Sequence, residues 1–282
     1  MNYKRILTIQ DISCVGQCSL TVALPILSAC GQETCILPSA VLSTHTMGYS
    51  FPFIRDLTPD LPDFQKHWQK ENILFDAIYT GYLGSTEQVA YVEDILQTMT
   101  VPGGKTIVDP AMADHGKLYP AFDMAYVQAM KGLVSKADVV VPNLTEACFL
   151  TGCTYQEIYD EAYIMDVVAR LHALGTKWVV LTGIGYREGT TGVLISGEGK
   201  VDHYVHPRIP KNFHGTGDVY ASAFVGSWIS GKTMNEAARI AADYTCKCIE
   251  KTIDDESHWY GVKFETALPY LIGRLTDKTD IA

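Results

Sequence analysis

Short apolar runs rich in β-branched residues alternate along this chain with longer amphipathic runs, and no other feature limits the fold as strongly. The alternation is typical of βαβ units, because parallel neighbouring strands need a long crossover connection that is usually a helix. We therefore expect an α/β fold with a mostly parallel central sheet flanked by helices. The predicted strands are residues 5–10, 34–38, 76–80, 105–109, 138–141 and 177–182.

The amphipathic runs predict helices, and glycine marks the end of two of them. Gly31 follows the first predicted helix and Gly175 the third, in the usual position of a C-cap glycine. A late hairpin is expected to turn around Gly197 and Gly199. The predicted helices are residues 19–30, 87–99, 162–174, 218–230 and 234–251, and the hairpin strands are residues 191–195 and 201–205. No repeat or linker interrupts this order, so residues 1–282 are expected to form a single domain.

Composition and charge exclude several classes of protein. The chain is 47% hydrophobic and 19% charged, as expected of a folded globular protein. Its net charge of −10 argues against nucleic-acid or anionic-membrane partners, which need clustered Lys and Arg. Neither a membrane-spanning run nor a signal peptide is recognisable, so a cytoplasmic location is expected. The eight cysteines form no CxxC pair, which favours reduced thiols.

Polar and glycine-rich clusters follow most of the predicted strands. In an open parallel sheet, ligands bind beyond the carboxyl ends of the strands. The coincidence therefore predicts a ligand site built from these loops. The clusters are residues 11–16, 81–84, 109–114, 142–146 and 182–185.

The strongest local signal is the sequence His-Gly-Thr-Gly-Asp at residues 214–218, followed at once by an apolar helical run. Backbone N–H groups at a helix start lack intrahelical partners, and glycine lets them approach an anion closely. Asp218 could then accept a proton from an attacking alcohol. The alternative is a structural turn in which Asp218 is an N-cap, and the motif alone leaves both interpretations open.

This motif closely resembles the GTGD signature of ribokinase-like kinases, in which the Asp is the catalytic base. Five other segments resemble, in order, elements of the pyridoxal kinase branch, and the resemblance covers roughly residues 4–250. The segments are residues 10–16 (the first substrate loop), 43–46 (Ser-Thr-His-Thr, similar to SNHT), 81–84 (GYLG), 109–116 (similar to DPVMGDxG) and 142–146 (PNxxE).

The resemblance implies a single kinase domain with the ribokinase-like three-layer fold. It implies transfer of a phosphoryl group from ATP, with Mg²⁺, to the 5′-hydroxymethyl group of pyridoxal, pyridoxamine or pyridoxine. A homodimer is also implied, and a monovalent cation such as K⁺ is compatible with the family. The expected partners are thus a vitamin B6 vitamer and ATP.

The resemblance also implies a role for each matched residue. These are Asp218 as catalytic base; Gly215, Thr216 and Gly217 as anion hole; Asp11, His45, Thr46 and Tyr82 as substrate contacts; Asp109, Asn143, Glu146 and Thr182 as ATP and phosphate contacts; and Asp114 and Glu146 as magnesium ligands. Without the matched motifs, His45 and Tyr82 would read as ordinary core residues.

Several departures from the family pattern leave the substrate open. Asp11 occupies a position where many pyridoxal kinases carry Ser, while Ala111, Ala113 and Gly183 replace Val, Gly and Ser. One alternative is hydroxymethylpyrimidine kinase of thiamine salvage, although that branch usually carries Cys at the base position. The other is a non-catalytic holder of pyridoxal phosphate or nucleotide.

Two weaker signals point elsewhere. Gly183, Gly185 and Gly189 superficially resemble a dinucleotide-binding loop, but the spacing favours a nucleotide-facing turn. His203 and His206 are three residues apart on a predicted strand, so they face opposite sides and make a poor metal pair. The chain also lacks GxxxxGK[ST], which excludes phosphate binding of the P-loop type.

Overall fold

The computed structural model describes residues 3–276, which form two compact units. The first unit contains the described residues up to Arg55 and those from Ile209 onward, and the second is Asp56–Arg208. Between residues 3 and 276, no helix combines the length and the apolar character needed to cross a membrane.

The first unit carries both ends of the described chain. Its strand order is β1-β2-β3, and β1 pairs in parallel with β2 from Arg5 opposite Glu33 to Ser13 opposite Leu42. Ile6, Leu7 and Ile9 are fully buried, as expected of a strand covered on both faces. Its elements are β1 (Arg5–Ser13), α1 (Leu20–Ala29), β2 (Glu33–Leu42), β3 (Ile54–Asp56), α7 (Thr216–Ile229), α8 (Met234–Thr252) and α9 (Leu268–Thr276).

An irregularity in the β1–β2 ladder lies at a predicted site residue. The register shifts between Gln10 and Ile12, so that Ser39 and Ala40 on β2 stand opposite the single residue Asp11. Bulges of this kind re-aim side chains and often lie beside functional sites. Asp11 is consequently buried at the end of a core strand.

The second unit is a six-stranded piece of sheet with the order β11-β10-β9-β8-β5-β4. Strands β4, β5, β8 and β9 are parallel, whereas β9, β10 and β11 pair antiparallel. Its strands are β4 (Phe75–Thr80), β5 (Thr100–Val108), β6 (Ala113–Asp114), β7 (Lys117–Leu118), β8 (Val139–Val140), β9 (Trp178–Thr182), β10 (Thr190–Gly197) and β11 (Lys200–Pro207). Its helices are α2 (Leu61–Lys70), α3 (Thr86–Thr98), α4 (Met124–Val134), α5 (Leu144–Thr151) and α6 (Glu161–Ala173).

The predicted α/β class is confirmed, because the described residues hold nine strands of a mostly parallel sheet and nine α-helices. Every predicted strand and helix is present, with ends displaced by a few residues. All eight cysteines are free, which agrees with the expected reduced thiols.

Helices α2, α4, α5 and α9 and the short strands β3, β6 and β7 were not predicted from the sequence. Helix α5 was missed because nearly all its residues are buried, which hides the polar face of an amphipathic pattern.

Candidate active site

The glycine motif of the first unit forms the start of α7. Gly215 is the N-cap residue with φ 75°, and no side chain of residues 3–276 caps the helix there. A Cβ atom on Gly215 would lie 1.7 Å from the carbonyl oxygen of Gln17, so only glycine fits. Gly217 is exposed, and a Cβ on it would contact nothing described within 4 Å. The first N–H groups of α7 therefore face open space, which suits an anion.

Asp218 is the third residue of α7 and is partly buried. One carboxylate oxygen, Oδ2, accepts a hydrogen bond of 3.0 Å from the backbone N–H of Ser19. Burial raises the pKa of Asp218 to about 7, and the nearby negative charge of Asp11 adds to the effect. A carboxylate with this pKa can take a proton near neutral pH.

Asp11 is a second buried carboxylate of the same unit. The Ser13 hydroxyl donates to its Oδ2 at 3.0 Å. Burial raises the pKa of Asp11, and hydrogen bonds from Ser19 and Ser13 oppose that rise. Burial and both carboxylates raise the pKa of the Cys18 thiol well above its ordinary value, so this thiol stays protonated and is a poor nucleophile.

His45 is buried, and both of its ring nitrogens have backbone partners. Nδ1 accepts a hydrogen bond from the N–H of Met47 at 3.2 Å, and Nε2 lies 2.8 Å from the carbonyl oxygen of Tyr260. A carbonyl can only accept, so Nε2 carries the proton and the ring is neutral. His45 therefore offers a substrate the face or edge of its ring but no free nitrogen.

Several neighbours of His45 were not among the predicted site residues. The rings of Tyr49 and His214 lie 5.0 and 5.6 Å from that of His45, and Trp259 lies 4.8 Å from Tyr49. His214 was visible inside the glycine motif. Trp259 and its loop carried no local signal, because they reach His45 only through the fold. Thr46 is exposed beside this cluster.

In the second unit, the predicted residues follow successive parallel strands. Tyr82 and Asp109 come after β4 and β5, Asn143 follows β8, and Thr182 ends β9. The N–H of Asp109 donates to the carbonyl of Thr80, and Asn143 forms a parallel bridge with Thr182. The carboxyl edge of these strands thus collects the residues predicted to contact ATP.

Glu146 and Asn143 form a capping box at the start of α5. Glu146 accepts from the N–H groups of Asn143 at 2.9 Å and Met112 at 3.0 Å, one on each carboxylate oxygen. Asn143 accepts from the N–H of Glu146 and donates to the carbonyl of Ala113 at 2.8 Å. Burial raises the pKa of Glu146 to about 7 despite these hydrogen bonds.

The remaining predicted residues of this unit are less constrained. Asp114 is exposed, and its carboxylate accepts from the N–H of His115. Burial is the main cause of the raised pKa of Glu146, and the charge of Asp114 adds to it. The described residues contain no group of three or more His, Cys, Asp or Glu side chains arranged for a metal. The ring of Tyr82 lies 5.4 Å from that of Phe122.

The turn containing Gly183, Gly185 and Gly189 joins the antiparallel strands β9 and β10. A dinucleotide-binding loop must lead into a helix whose N-terminus receives the pyrophosphate. No helix follows within this stretch of the described chain, so the resemblance to such a loop was superficial. His203 is also occupied, since its Nε2 lies 3.2 Å from the carbonyl of Ile184.

Known structures and sequences are similar to this chain over most of its length. A candidate phosphomethylpyrimidine kinase of Bacteroides thetaiotaomicron, crystallised with pyridoxal, is 34% identical, with a TM-score of 0.91 and 96% of each chain covered. Pyridoxal kinase of Lactobacillus plantarum is 32% identical, with a TM-score of 0.89, and the match covers 96% of this chain and 98% of that one. The hydroxymethylpyrimidine/phosphomethylpyrimidine kinase of Streptomyces coelicolor is 27% identical over 86% of this chain and 88% of its own.

The family profile of phosphomethylpyrimidine kinase matches residues 30–262. That range contains the glycine motif with Asp218 and the capping box with Glu146, and it leaves out Asp11. These relatives support a kinase activity and imply ATP as co-substrate. The chain belongs to the phosphomethylpyrimidine kinase family, within the ribokinase-like kinases.

Proposed function

We propose that this protein phosphorylates the 5′-hydroxymethyl group of pyridoxal, pyridoxamine or pyridoxine at the expense of ATP. The observation that carries the proposal is Asp218, a desolvated carboxylate whose pKa is raised to about 7 at the open start of α7. The hydroxymethylpyrimidine branch usually carries Cys at the equivalent position, so an Asp there favours the B6 vitamers.

The proposed reaction is a single displacement. The hydroxyl oxygen of the substrate forms a bond to the γ-phosphorus of ATP while its proton passes to the carboxylate of Asp218. The bond between the γ-phosphorus and the β–γ bridging oxygen breaks, and ADP leaves. The N–H groups at Gly215, Thr216 and Gly217 would stabilise the charge that develops on the transferred phosphoryl group.

The substrate contacts of the first unit fit an aromatic heterocycle with polar substituents. Asp11 would accept a hydrogen bond from the ring nitrogen or the ring hydroxyl of the substrate, because its buried carboxylate keeps acceptor capacity beside the hydrogen bonds from Ser13 and Ser19. His45 would pack its ring against the substrate, since its nitrogens are occupied. We propose Thr46 as a further polar contact, and Tyr82 of the second unit as an aromatic wall.

The nucleotide contacts are proposed for the second unit. Asp109, Asn143 and Thr182 end parallel strands, where nucleotides bind in open α/β sheets. Of the two predicted magnesium ligands, Asp114 is exposed and would hold Mg²⁺, with phosphates and water completing the coordination of the ion. When bound, the ion neutralises phosphate charge. Glu146 already accepts backbone hydrogen bonds on both oxygens, so its proposed part is to fix the loop around Asn143.

A second candidate function is supported by a specific observation. The family profile that matches residues 30–262 is that of phosphomethylpyrimidine kinase, and the Streptomyces coelicolor relative phosphorylates hydroxymethylpyrimidine according to its name. The same base and anion hole would serve that substrate, which is also a nitrogen heterocycle bearing a hydroxymethyl group. Only the ring contacts would differ.

We further propose a cytoplasmic homodimer with a single kinase domain, as the family resemblance implies.

The deciding experiment measures ADP formation by the purified protein with Mg-ATP and, separately, pyridoxal, pyridoxamine, pyridoxine and hydroxymethylpyrimidine. Turnover with a B6 vitamer that is lost in Asp218→Asn supports the proposal. Turnover with hydroxymethylpyrimidine alone moves the protein to thiamine salvage. Retention of pyridoxal phosphate without any ADP formation identifies a non-catalytic holder.

A further inference from the structure

Residues 253–263 form a loop between α8 and the segment before α9. One buried side chain joins the two ends of this loop. The hydroxyl of Thr252, the last residue of α8, accepts a hydrogen bond from the N–H of Lys263 at 2.9 Å. Thr252 is fully buried, as is Val262, which directly precedes Lys263. The two ends of this 253–263 loop are therefore anchored in the core.

An ion pair inside the loop fixes its shape. Lys263 Nζ donates to Asp255 Oδ2 at 2.5 Å, and Ser257 donates to Asp255 Oδ1 through both its N–H and its hydroxyl. These hydrogen bonds, led by that of Lys263, hold the pKa of Asp255 well below its usual range. The carboxylate is thus ionised at any pH at which the protein would work, and it joins Ser257 to Lys263 across the loop.

The loop contacts the substrate segment directly. The carbonyl oxygen of Tyr260 accepts a hydrogen bond of 2.8 Å from His45 Nε2 and so fixes the tautomer of His45. The ring of Trp259 lies 4.8 Å from that of Tyr49. A Cβ atom on Gly48 would lie 2.7 Å from the ring of Trp259. The substrate segment around His45 thus contacts the loop through one hydrogen bond and a close aromatic contact.

The same loop contacts the two other segments of the proposed chemistry in this unit. Gly261 packs so closely on Gln17, the residue that follows the first substrate loop, that an added Cβ would lie 2.3 Å from the Gln17 side chain. The carbonyl of Ile253 accepts a hydrogen bond of 2.8 Å from Lys211, just before the glycine motif. The loop and its first residue thus contact residues on either side of the substrate and glycine segments.

Aromatic rings extend this support to the glycine motif itself. Trp259 packs on Tyr49, Tyr49 lies 5.0 Å from His45, and His45 lies 5.6 Å from His214. His214 directly precedes Gly215, the N-cap of α7. Rings in contact pass a displacement on to their neighbours because protein interiors are close-packed.

We propose that the 253–263 loop is a positioning element that sets the geometry of the alcohol substrate relative to Asp218. The inference rests on the proposed function. Lys263 and Trp259 act through His45 and touch neither the substrate nor the reacting atoms. Their loss is expected to weaken substrate positioning, since small displacements of a bound reactant cost much of the rate.

The test compares Lys263→Met with Lys263→Arg and with Lys247→Met. Lys247 makes a surface ion pair of 2.7 Å with Glu250 on α8 and provides a matched loss of one Lys–carboxylate pair. Lys263→Met should raise the KM for pyridoxal about tenfold while the KM for ATP changes less than about twofold. Lys263→Arg should restore the KM for pyridoxal, and Lys247→Met should leave both constants unchanged.

Hydrogen exchange of residues 43–49, measured without substrate, gives a readout that does not need turnover. In Lys263→Met these amides should exchange about tenfold faster, while those of α8 keep their rates. If Lys263→Met fails to fold, Trp259→Ala takes its place, because this half-exposed side chain is not part of the core.

Unchanged exchange and unchanged KM values in Lys263→Met would overturn the inference. Equal rises in the KM values for pyridoxal and ATP, or the same effect in Lys247→Met, would also overturn it. If the wild-type protein phosphorylates none of the four alcohols, the proposed function fails, and the exchange comparison still decides whether the loop positions residues 43–49.

Discussion

The helices α5 and α7 each carry a carboxylate at the same position near their start, and the two starts differ in how they are capped. Glu146 and Asp218 are each the third residue of their helix, and burial raises the pKa of each to about 7. The start of α5 is closed, because Asn143 caps the helix and Glu146 caps Asn143 in return. At the start of α7 the N-cap is Gly215, and among the described residues the carboxylate of Asp218 accepts one hydrogen bond, from the N–H of Ser19.

Because the two pKa values are alike, the hydrogen-bond partners must separate a structural carboxylate from the one proposed as catalytic base. Glu146 accepts from buried N–H groups on both oxygens, so a proton added to it would compete with bonds that hold two loops. Asp218 has more acceptor capacity left, and the N–H groups beside it face open space. Only the second arrangement suits proton transfer and anion binding at one place.

The largest expected effect is the loss of activity in Asp218→Asn. The amide cannot accept the proton of the alcohol, so kcat should fall by about 10²- to 10⁴-fold. The amide oxygen can still accept from Ser19, so the free energy of unfolding should change by less than about 1 kcal/mol. Steady-state ADP formation and thermal unfolding of the same preparation measure the two effects. Wild-type turnover in this variant would remove Asp218 from the mechanism.

The opposite balance is expected of Glu146→Gln. The amide keeps one acceptor oxygen and leaves a buried backbone N–H of Met112 or Asn143 without its partner, at a cost of about 1–3 kcal/mol. Thermal unfolding should therefore begin at a lower temperature, and kcat should fall far less than in Asp218→Asn.

The matched control for Glu146→Gln is Glu236→Gln. Glu236 completes the capping box of α8 with Thr233, and Thr233 is exposed, so the N–H of Thr233 can bond to water once the carboxylate is lost. Glu236→Gln should therefore lower the free energy of unfolding by less than Glu146→Gln does. Equal losses in the two variants would mean that burial does not distinguish Glu146.

The smallest expected effect is a shift in the pH dependence of kcat/KM. Asp218 must be ionised to accept a proton, so kcat/KM should rise with pH and reach half its maximum near the pKa of about 7. Asp11→Asn removes a negative charge that raises the pKa of Asp218, so the rise should move to lower pH. Glu146→Gln should leave it in place. If the rise in kcat/KM moved in Glu146→Gln and stayed in place in Asp11→Asn, the titrating group would be Glu146 on α5, and the prediction for Asp218 would be wrong.

The sequence was sufficient for the elements whose signals are local. Alternating apolar and amphipathic runs predicted β1, β4 and β9, and Gly175 marked the end of α6. It also located the open start of α7, because His-Gly-Thr-Gly-Asp is contiguous. Helix α5 and its capping box were recognisable only by resemblance to PNxxE, since a buried helix has no amphipathic period.

The roles of individual side chains depended on contacts between residues far apart in the chain. The sequence predicted His45 as a site residue, but only the tertiary structure supplied the carbonyl of Tyr260, which takes up its ring nitrogen. The register shift opposite Asp11 required two strands to pair. Periodicity and turn chemistry act over a few neighbouring residues and can be read from the sequence. Burial, tautomers and hydrogen-bond partners depend on which distant segments meet, and only the folded chain decides that.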